Sequence, residues 1–329
     1  MLQVLMSEAS YLRIRERIAP LSPRLDIVTV PEAGRYLRGE VEVAAADLDP
    51  EIVWNTQEAY LSGLLPSLMR VVLDSPSVRW LQTFNAGLDL PIFRRIMEKG
   101  VRITKSAAQG VVIAEYVMAH ALSLIVPIDL QRDLKSRREW GRTPYREVSR
   151  THWLLVGYGA IGEQIAQRAR SFGVDLTVVR RGTEAGLANR TLPLSRIHEA
   201  LPEADVVVLA CALTDETRNL CNDAFFSAMK PGALLINIGR GGLVDEDALH
   251  RGLESQRPAH AVLDVFQTEP LPQDHWIWTH PRVRVSAHTS NSGDGVQPRA
   301  DDQFVENLGR YLSGDPLLNE AARAEVGLA

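Results

Sequence analysis

Three glycines in one short stretch constrain this chain more than any other feature. Gly157, Gly159 and Gly162 stand in the order GxGxxG, directly after the apolar run WLLV and directly before the helix-like run EQIAQRARSFG. In such a loop the first glycine permits a tight turn and the second lets a ligand's pyrophosphate approach the backbone. The third lets helix and strand pack closely, with phosphate at the helix N-terminus. Alone the pattern is weak, but a strand before it, a helix after it and a second apolar run at 176–179 make it part of a βαβ unit. Gly157, Tyr158, Gly159, Ala160, Ile161 and Gly162 are therefore the candidate dinucleotide loop.

The rest of the chain repeats this strand and helix rhythm. Apolar or β-branched runs fall at 2–6, 25–30, 41–46, 52–54, 78–84 and 101–104, with helical spacing over 10–19 and 90–99. A second series opens at His152, with strands expected at 153–156, 176–179, 206–210, 234–238, 260–263 and 283–286. Alternation of this kind predicts an α/β protein with two doubly wound parallel-sheet domains. A length of 329 residues suits two domains, each burying its own core. The apolar stretch 111–128 carries Glu115 and His120 and ends at Pro127 and Asp129, so it reads as a buried interdomain or dimer-interface helix rather than a membrane span. Residues 131–150 are polar and basic, and a last helix is expected over 301–313. The expected boundaries are 1–110 with 300–329 for one domain and 111–299 for the other.

A formal net charge of −5 gives no electrostatic case for nucleic acid. The two cysteines, Cys211 and Cys221, form no CxxC pair and adjoin no histidine cluster, so neither a disulfide framework nor a metal site is expected, and a reducing cytoplasm fits. The first residues, MLQVLMSEAS, lack the basic and apolar pattern of a secretory signal. A small-molecule ligand is the expected partner, without nucleic acid or membrane.

Which dinucleotide binds is read from the end of the second strand of the βαβ unit. NAD sites usually carry Asp or Glu there to hold the ribose hydroxyls. This chain has Arg180 and then Arg181, and a guanidinium at that place can pair with a 2′-phosphate. NADP(H) is the expected cofactor, with NAD(H) the alternative.

Three later segments, LLINIGRGGLVDEDAL, AVLDVFQTEPLP and VRVSAHTSN, each set a polar residue just beyond an apolar strand, where open α/β sheets bind ligands. They supply Arg240, Glu269 and His288. Reducing the keto group of an acid requires a cation for the carboxylate, a proton donor for the carbonyl oxygen and an anion to orient that donor, and these three residue types meet the need. The other histidines, His120, His152, His260, His275 and His280, are read as structural, and Trp54 and Trp276 as packing.

In these motifs the chain resembles the D-isomer-specific 2-hydroxyacid dehydrogenase family, over nearly its whole length. VGYGAIG, INIGRGGLVDEDAL, DVFQTEP and a histidine after the next strand follow in the family's order. The resemblance implies a flavodoxin-like substrate domain with an inserted Rossmann NAD(P)-binding domain, and a homodimer formed through the latter. It implies that Arg240 binds substrate, that Glu269 is the acid partner and that His288 exchanges the proton. Asp264 would meet the nicotinamide carboxamide, and the FNAGLD loop would hold the substrate carboxylate on the backbone amides of Asn85, Ala86 and Gly87. The implied activity is reduction of a small 2-oxo acid such as glyoxylate or hydroxypyruvate. The alternative on the same fold is a nucleotide-sensing binding protein of the corepressor type. Formate dehydrogenases of the family carry Gln at the position of Glu269, so Glu here favours keto-acid reduction. Departures stand out at two places: in the histidine segment Ser286-Ala287 precede His288 in place of the frequent Thr-Pro and Thr289-Ser290-Asn291 follow it in place of the commoner glycine-containing run, and Lys105 stands where relatives often have Asn.

Overall fold

The computed structural model describes residues 1–182 and 184–328. It divides into two compact units, Met1–Ala108 with Asp294–Ala329, and Gln109–Gly293.

The first unit is built on seven strands: β1 (Leu2–Ser7), β2 (Leu25–Val30), β3 (Leu37–Arg38), β4 (Val41–Glu42), β5 (Ile52–Trp54), β6 (Trp80–Gln82) and β7 (Arg102–Thr104). Their order in the sheet is β4-β3-β2-β1-β5-β6-β7. The five from β2 to β7 are parallel, in the flavodoxin-like order, while β3 and β4 are a short antiparallel extension at the edge. The run at 41–46 accordingly pairs only over Val41–Glu42, both exposed. Two helices not expected from the sequence, Gln57–Leu61 and Leu65–Asp74, follow β5, and the second covers the sheet with Leu68, Met69, Val71 and Val72. The last helix runs over Val296–Ser313 and belongs to this unit, its Phe304 lying flat on Trp54 with ring centroids 4.1 Å apart. Trp54 is a packing residue, 2% exposed.

The second unit has strands β8 (His152–Val156), β9 (Asp175–Val179), β10 (Arg190–Leu192), β11 (Val206–Leu209), β12 (Leu234–Asn237), β13 (His260–Leu263) and β14 (Val283–Val285). All are parallel, in the order β10-β9-β8-β11-β12-β13-β14. That is the Rossmann order, extended by one strand, and the order reverses beside β8. The strands read as unbroken apolar runs because both faces are covered, and every residue of β11 is fully buried. The helix Gly110–Ile125 closes one face: Ile113, Ala114, Val117 and Ala121 share a core with Ile165, Ala166 and Ala169 of the helix Ala160–Ser171. Among the described residues no single helix is long and apolar enough to cross a membrane. The polar stretch after it begins with a helix, Ile128–Arg137, which buries no residue.

Candidate active site

The C-terminal ends of β8, β9, β12, β13 and β14 all lie along one edge of the parallel sheet, and every candidate residue of the second unit sits there. The glycine loop follows β8. Gly157 has φ +102, and a β-carbon on it would lie 2.6 Å from the Ala210 carbonyl oxygen. On Gly162 one would lie 2.4 Å from the Gly157 carbonyl oxygen, so the helix can approach the strand only without a side chain. Gly159 has nothing within 4 Å of such a carbon, and it caps the helix Ala160–Ser171. Its backbone is thus open to an approaching phosphate, with the first-turn N–H groups of Ala160 and Ile161 behind it. The three glycines meet three different demands, and together they fit a pyrophosphate.

Arg180 follows β9, its guanidinium carbon 5.0 Å from the centre of the Tyr158 ring, so a loop residue holds the cation beside the glycine loop. Its Nη1 also donates to the Glu184 carbonyl at 3.3 Å, and Tyr158 Oη accepts from the Leu187 amide at 3.0 Å. Arg181 is exposed.

Arg240 lies beyond β12. Asn237 donates to its carbonyl at 3.0 Å and its Nη1 donates to the Gly239 carbonyl at 2.8 Å. Gly241, the next residue, is pressed on the Phe266 peptide so closely that an added β-carbon would fall 1.9 Å from the Phe266 carbonyl carbon. This contact locks the Arg240 loop against the turn that carries Glu269. Glu269 Oε1 accepts from the Phe266 amide at 3.0 Å, leaving Oε2 to face His288 Nδ1 at 2.8 Å. His288 Nε2 has no hydrogen-bond partner among the described residues. The pair is partly open, with side chains 47% and 36% exposed. One ring nitrogen is therefore oriented by a carboxylate and the other is free to meet a substrate oxygen.

Asp264, the residue after β13, lies at the same strand edge. It is 1% exposed, and its carboxylate already accepts from the amides of Thr289 and Ser290 and the hydroxyls of Ser286 and Ser290. It faces the histidine loop. In the first unit, Asn85 follows β6 and is folded back, its carbonyl accepting from the Ser106 amide at 3.0 Å and its Oδ1 from the Thr83 hydroxyl at 2.8 Å. Among the described residues the N–H groups of Ala86 and Gly87 have no hydrogen-bond acceptor. Lys105 pairs with Glu325. Trp276 stacks edge-on with His250 and His280 and lies outside the constellation. Among the described residues no group of three or more histidines, cysteines or acids could hold a metal ion.

Burial pushes the His120 imidazole below its ordinary value and the Tyr116 phenol above its own. Tyr116, on the helix Gly110–Ile125, lies 2.6 Å from the Ser286 hydroxyl. Sequence reasoning passed over Tyr116, whose only signal was a phenol hydroxyl in a largely apolar helix.

A Rossmann sheet with its glycine loop, joined at the same edge by an arginine and a carboxylate–histidine pair, defines a nucleotide-dependent dehydrogenase domain. The family model of the D-isomer specific 2-hydroxyacid dehydrogenase NAD-binding domain matches residues 118–290. The chain belongs to that family. It is 35% identical to D-3-phosphoglycerate dehydrogenase of Bacillus subtilis over 214 residues, 63% of this chain but only 40% of that protein's length. Over 318 residues it is 28% identical to human glyoxylate reductase/hydroxypyruvate reductase, covering 88% of this chain and 95% of the human protein. A solved structure of a D-isomer specific 2-hydroxyacid dehydrogenase family protein from Aeromonas salmonicida superposes with a TM-score of 0.77 at 28% identity, covering 98% of this chain and 99% of that one.

Proposed function

We propose that the protein is an NADP(H)-dependent 2-oxo acid reductase acting on small substrates such as glyoxylate or hydroxypyruvate. The observation that carries this reading is the 2.8 Å contact of His288 Nδ1 with Glu269 Oε2, which leaves Nε2 free at the strand edge that holds Arg240 and the glycine loop. The likeness to human glyoxylate reductase/hydroxypyruvate reductase over 88% of the chain supports the substrate class.

In the proposed mechanism Arg240 takes the substrate carboxylate and polarises the adjacent carbonyl. The amides of Asn85, Ala86 and Gly87 are assigned to substrate binding. His288 Nε2 gives its proton to the carbonyl oxygen, and Glu269 holds the ring in place and balances its charge. The bound nicotinamide supplies the hydride. Gly157, Gly159 and Gly162 seat the pyrophosphate. The Arg180 guanidinium, held on Tyr158, is assigned to the 2′-phosphate, with Arg181 beside it.

We further assign a second copy of the chain as partner of the segment after the long helix. There Leu130, Trp140 and Tyr145 are 46%, 103% and 54% exposed, apolar surface that a homodimer would cover. Sedimentation should show a dimer at micromolar concentration, and Trp140→Glu should shift it towards monomer. A parent protein that sediments only as monomer refutes the assignment. The free thiols of Cys211 and Cys221 suit a reducing cytoplasm.

The test of function is the loss of NADPH absorbance on adding a panel of 2-oxo acids. Turnover by the parent, with a fall of about 10² to 10⁴ in kcat for His288→Ala and unchanged NADPH binding, supports the reading. Tight NADPH binding without turnover on any acid would mark a nucleotide sensor instead.

A further inference from the structure

Behind the histidine loop lies a hydrogen-bonded set that the mechanism above does not use. Asp264 Oδ1 accepts from Ser286 Oγ at 2.7 Å, Thr289 N at 2.8 Å and Ser290 N at 3.1 Å, while Oδ2 accepts from Ser290 Oγ at 2.5 Å. The Asp264 carbonyl accepts from the His288 amide at 2.8 Å. Three consecutive amides, 288 to 290, are thus tied to one residue. They hold His288 at φ +54, a left-handed conformation that costs energy for any residue with a β-carbon.

Ser286 Oγ is also 2.6 Å from the Tyr116 hydroxyl. Proton counting sets the direction. A carboxylate only accepts and Ser286 has one hydroxyl hydrogen, so that hydrogen goes to Asp264 and Tyr116 must donate to Ser286. The chain runs one way, from Tyr116 through Ser286 to Asp264, and each donor polarises the next. Burial raises the Tyr116 phenol above its ordinary value, which keeps its proton in place.

We propose that Tyr116 and Ser286 are positioning residues for the reduction, locking the Asp264 carboxylate in the orientation that fastens the 288–290 amides and so aims the His288 ring at Glu269. The inference rests on the function proposed above. It assigns Asp264 to the histidine loop, with the helix Gly110–Ile125 as the fixed point from which that loop is held. It also gives the Ser286 hydroxyl a definite task.

The experiment compares the parent with Tyr116→Phe, Ser286→Ala, Ser286→Thr and the double variant Tyr116→Phe/Ser286→Ala. Steady-state rates with glyoxylate and hydroxypyruvate are read beside NADPH binding and hydrogen exchange at amides 288–290. Ser286→Ala should lower kcat roughly ten- to a hundred-fold, with KM and NADPH affinity within about two-fold, because a loosened proton donor acts on turnover. Ser286→Thr, which restores the hydroxyl, should recover most of the rate. Tyr116→Phe should lose less than Ser286→Ala, and the double variant should be no worse than Ser286→Ala alone, since Tyr116 acts only through Ser286. Losses that multiply in the double variant, or parent-like kcat in both single variants, overturn the proposal. Hydrogen exchange judges it without catalysis. Faster exchange at 288–290 in Tyr116→Phe supports the chain even if Ser286→Ala does not fold. Unchanged protection refutes it, whether or not the parent reduces any acid. Absence of turnover in the parent refutes only the function on which the proposal rests.

Discussion

Replacing Gly241 with alanine tests how Arg240 is held against the Glu269 turn. The added carbon would stand 1.9 Å from the Phe266 carbonyl carbon, 2.0 Å from its oxygen and 2.4 Å from the Gln267 nitrogen. All three are backbone atoms, so no side-chain rotation relieves the clash. Ordinary contact begins at 3.4 Å, so the two loops must part by about 1.5 Å, the difference between that distance and the shortest of the three. Arg240 precedes the glycine, and the Phe266 amide donates to Glu269 Oε1 at 3.0 Å, so the parting separates Arg240 from the carboxylate that faces His288. A misplacement of 1 Å can cost about 10²-fold in rate, and kcat/KM for Gly241→Ala should fall by at least that factor. Overpacking a tight site costs about 1–3 kcal/mol, so thermal unfolding should also move down by several degrees. The assay is NADPH-linked reduction with a parallel melting curve. Gly309→Ala, in the helix Val296–Ser313 where nothing lies within 4 Å of the added carbon, serves as control and should melt no lower than the parent. If Gly241→Ala kept both the parent rate and the parent melting temperature, the loops would not be coupled as described.

Arg180→Asp should weaken NADPH by roughly 10- to 100-fold, as loss of a charged phosphate contact would, and change NADH far less. Equal effects on both cofactors by fluorescence titration would refute the 2′-phosphate assignment. Burial pushes the Cys211 thiol up to about 11 and that of Cys221 well above its usual range. Both should therefore resist iodoacetamide at about pH 8 until denaturant is added, because only the thiolate reacts. Mass spectrometry showing rapid native labelling would contradict this. His120 and His260 are held below the ordinary imidazole value of 6.5, chiefly by burial. Below that pH the unfolded chain binds protons that the folded chain refuses, so their contribution to stability is full above 6.5 and is lost as pH falls through the lower folded values. The urea midpoint should drop between about pH 7.5 and 5.5, and should drop less in a His120→Gln/His260→Gln variant. An identical drop in both proteins would show that these rings carry none of it.

What the sequence determined by itself is local in the chain. The glycine loop, the strands β8 to β14 apart from β10, and the strand-end positions of Arg180, Arg240, Glu269 and His288 were legible. Doubly buried parallel strands write themselves as apolar runs, and a phosphate loop needs glycines at set intervals. β10 was missed because its three residues, Arg190–Leu192, form a strand only by pairing with β9. The helix Ile128–Arg137 escaped notice because it buries nothing and so carries no apolar stripe. The tertiary structure alone decided which groups converge. Nothing in the sequence singles out Gly241, and only the fold shows the Phe266 peptide lying where its side chain would be. Asp264 could as well have turned outwards. Its carboxylate faces inwards because β13 and β14 are neighbours and the loop after β14 folds its amides over the end of β13. Tyr116 joins Ser286 across 170 positions of chain. No periodicity records such a meeting, because it follows from how the long helix lies on the sheet rather than from any pattern within the helix itself.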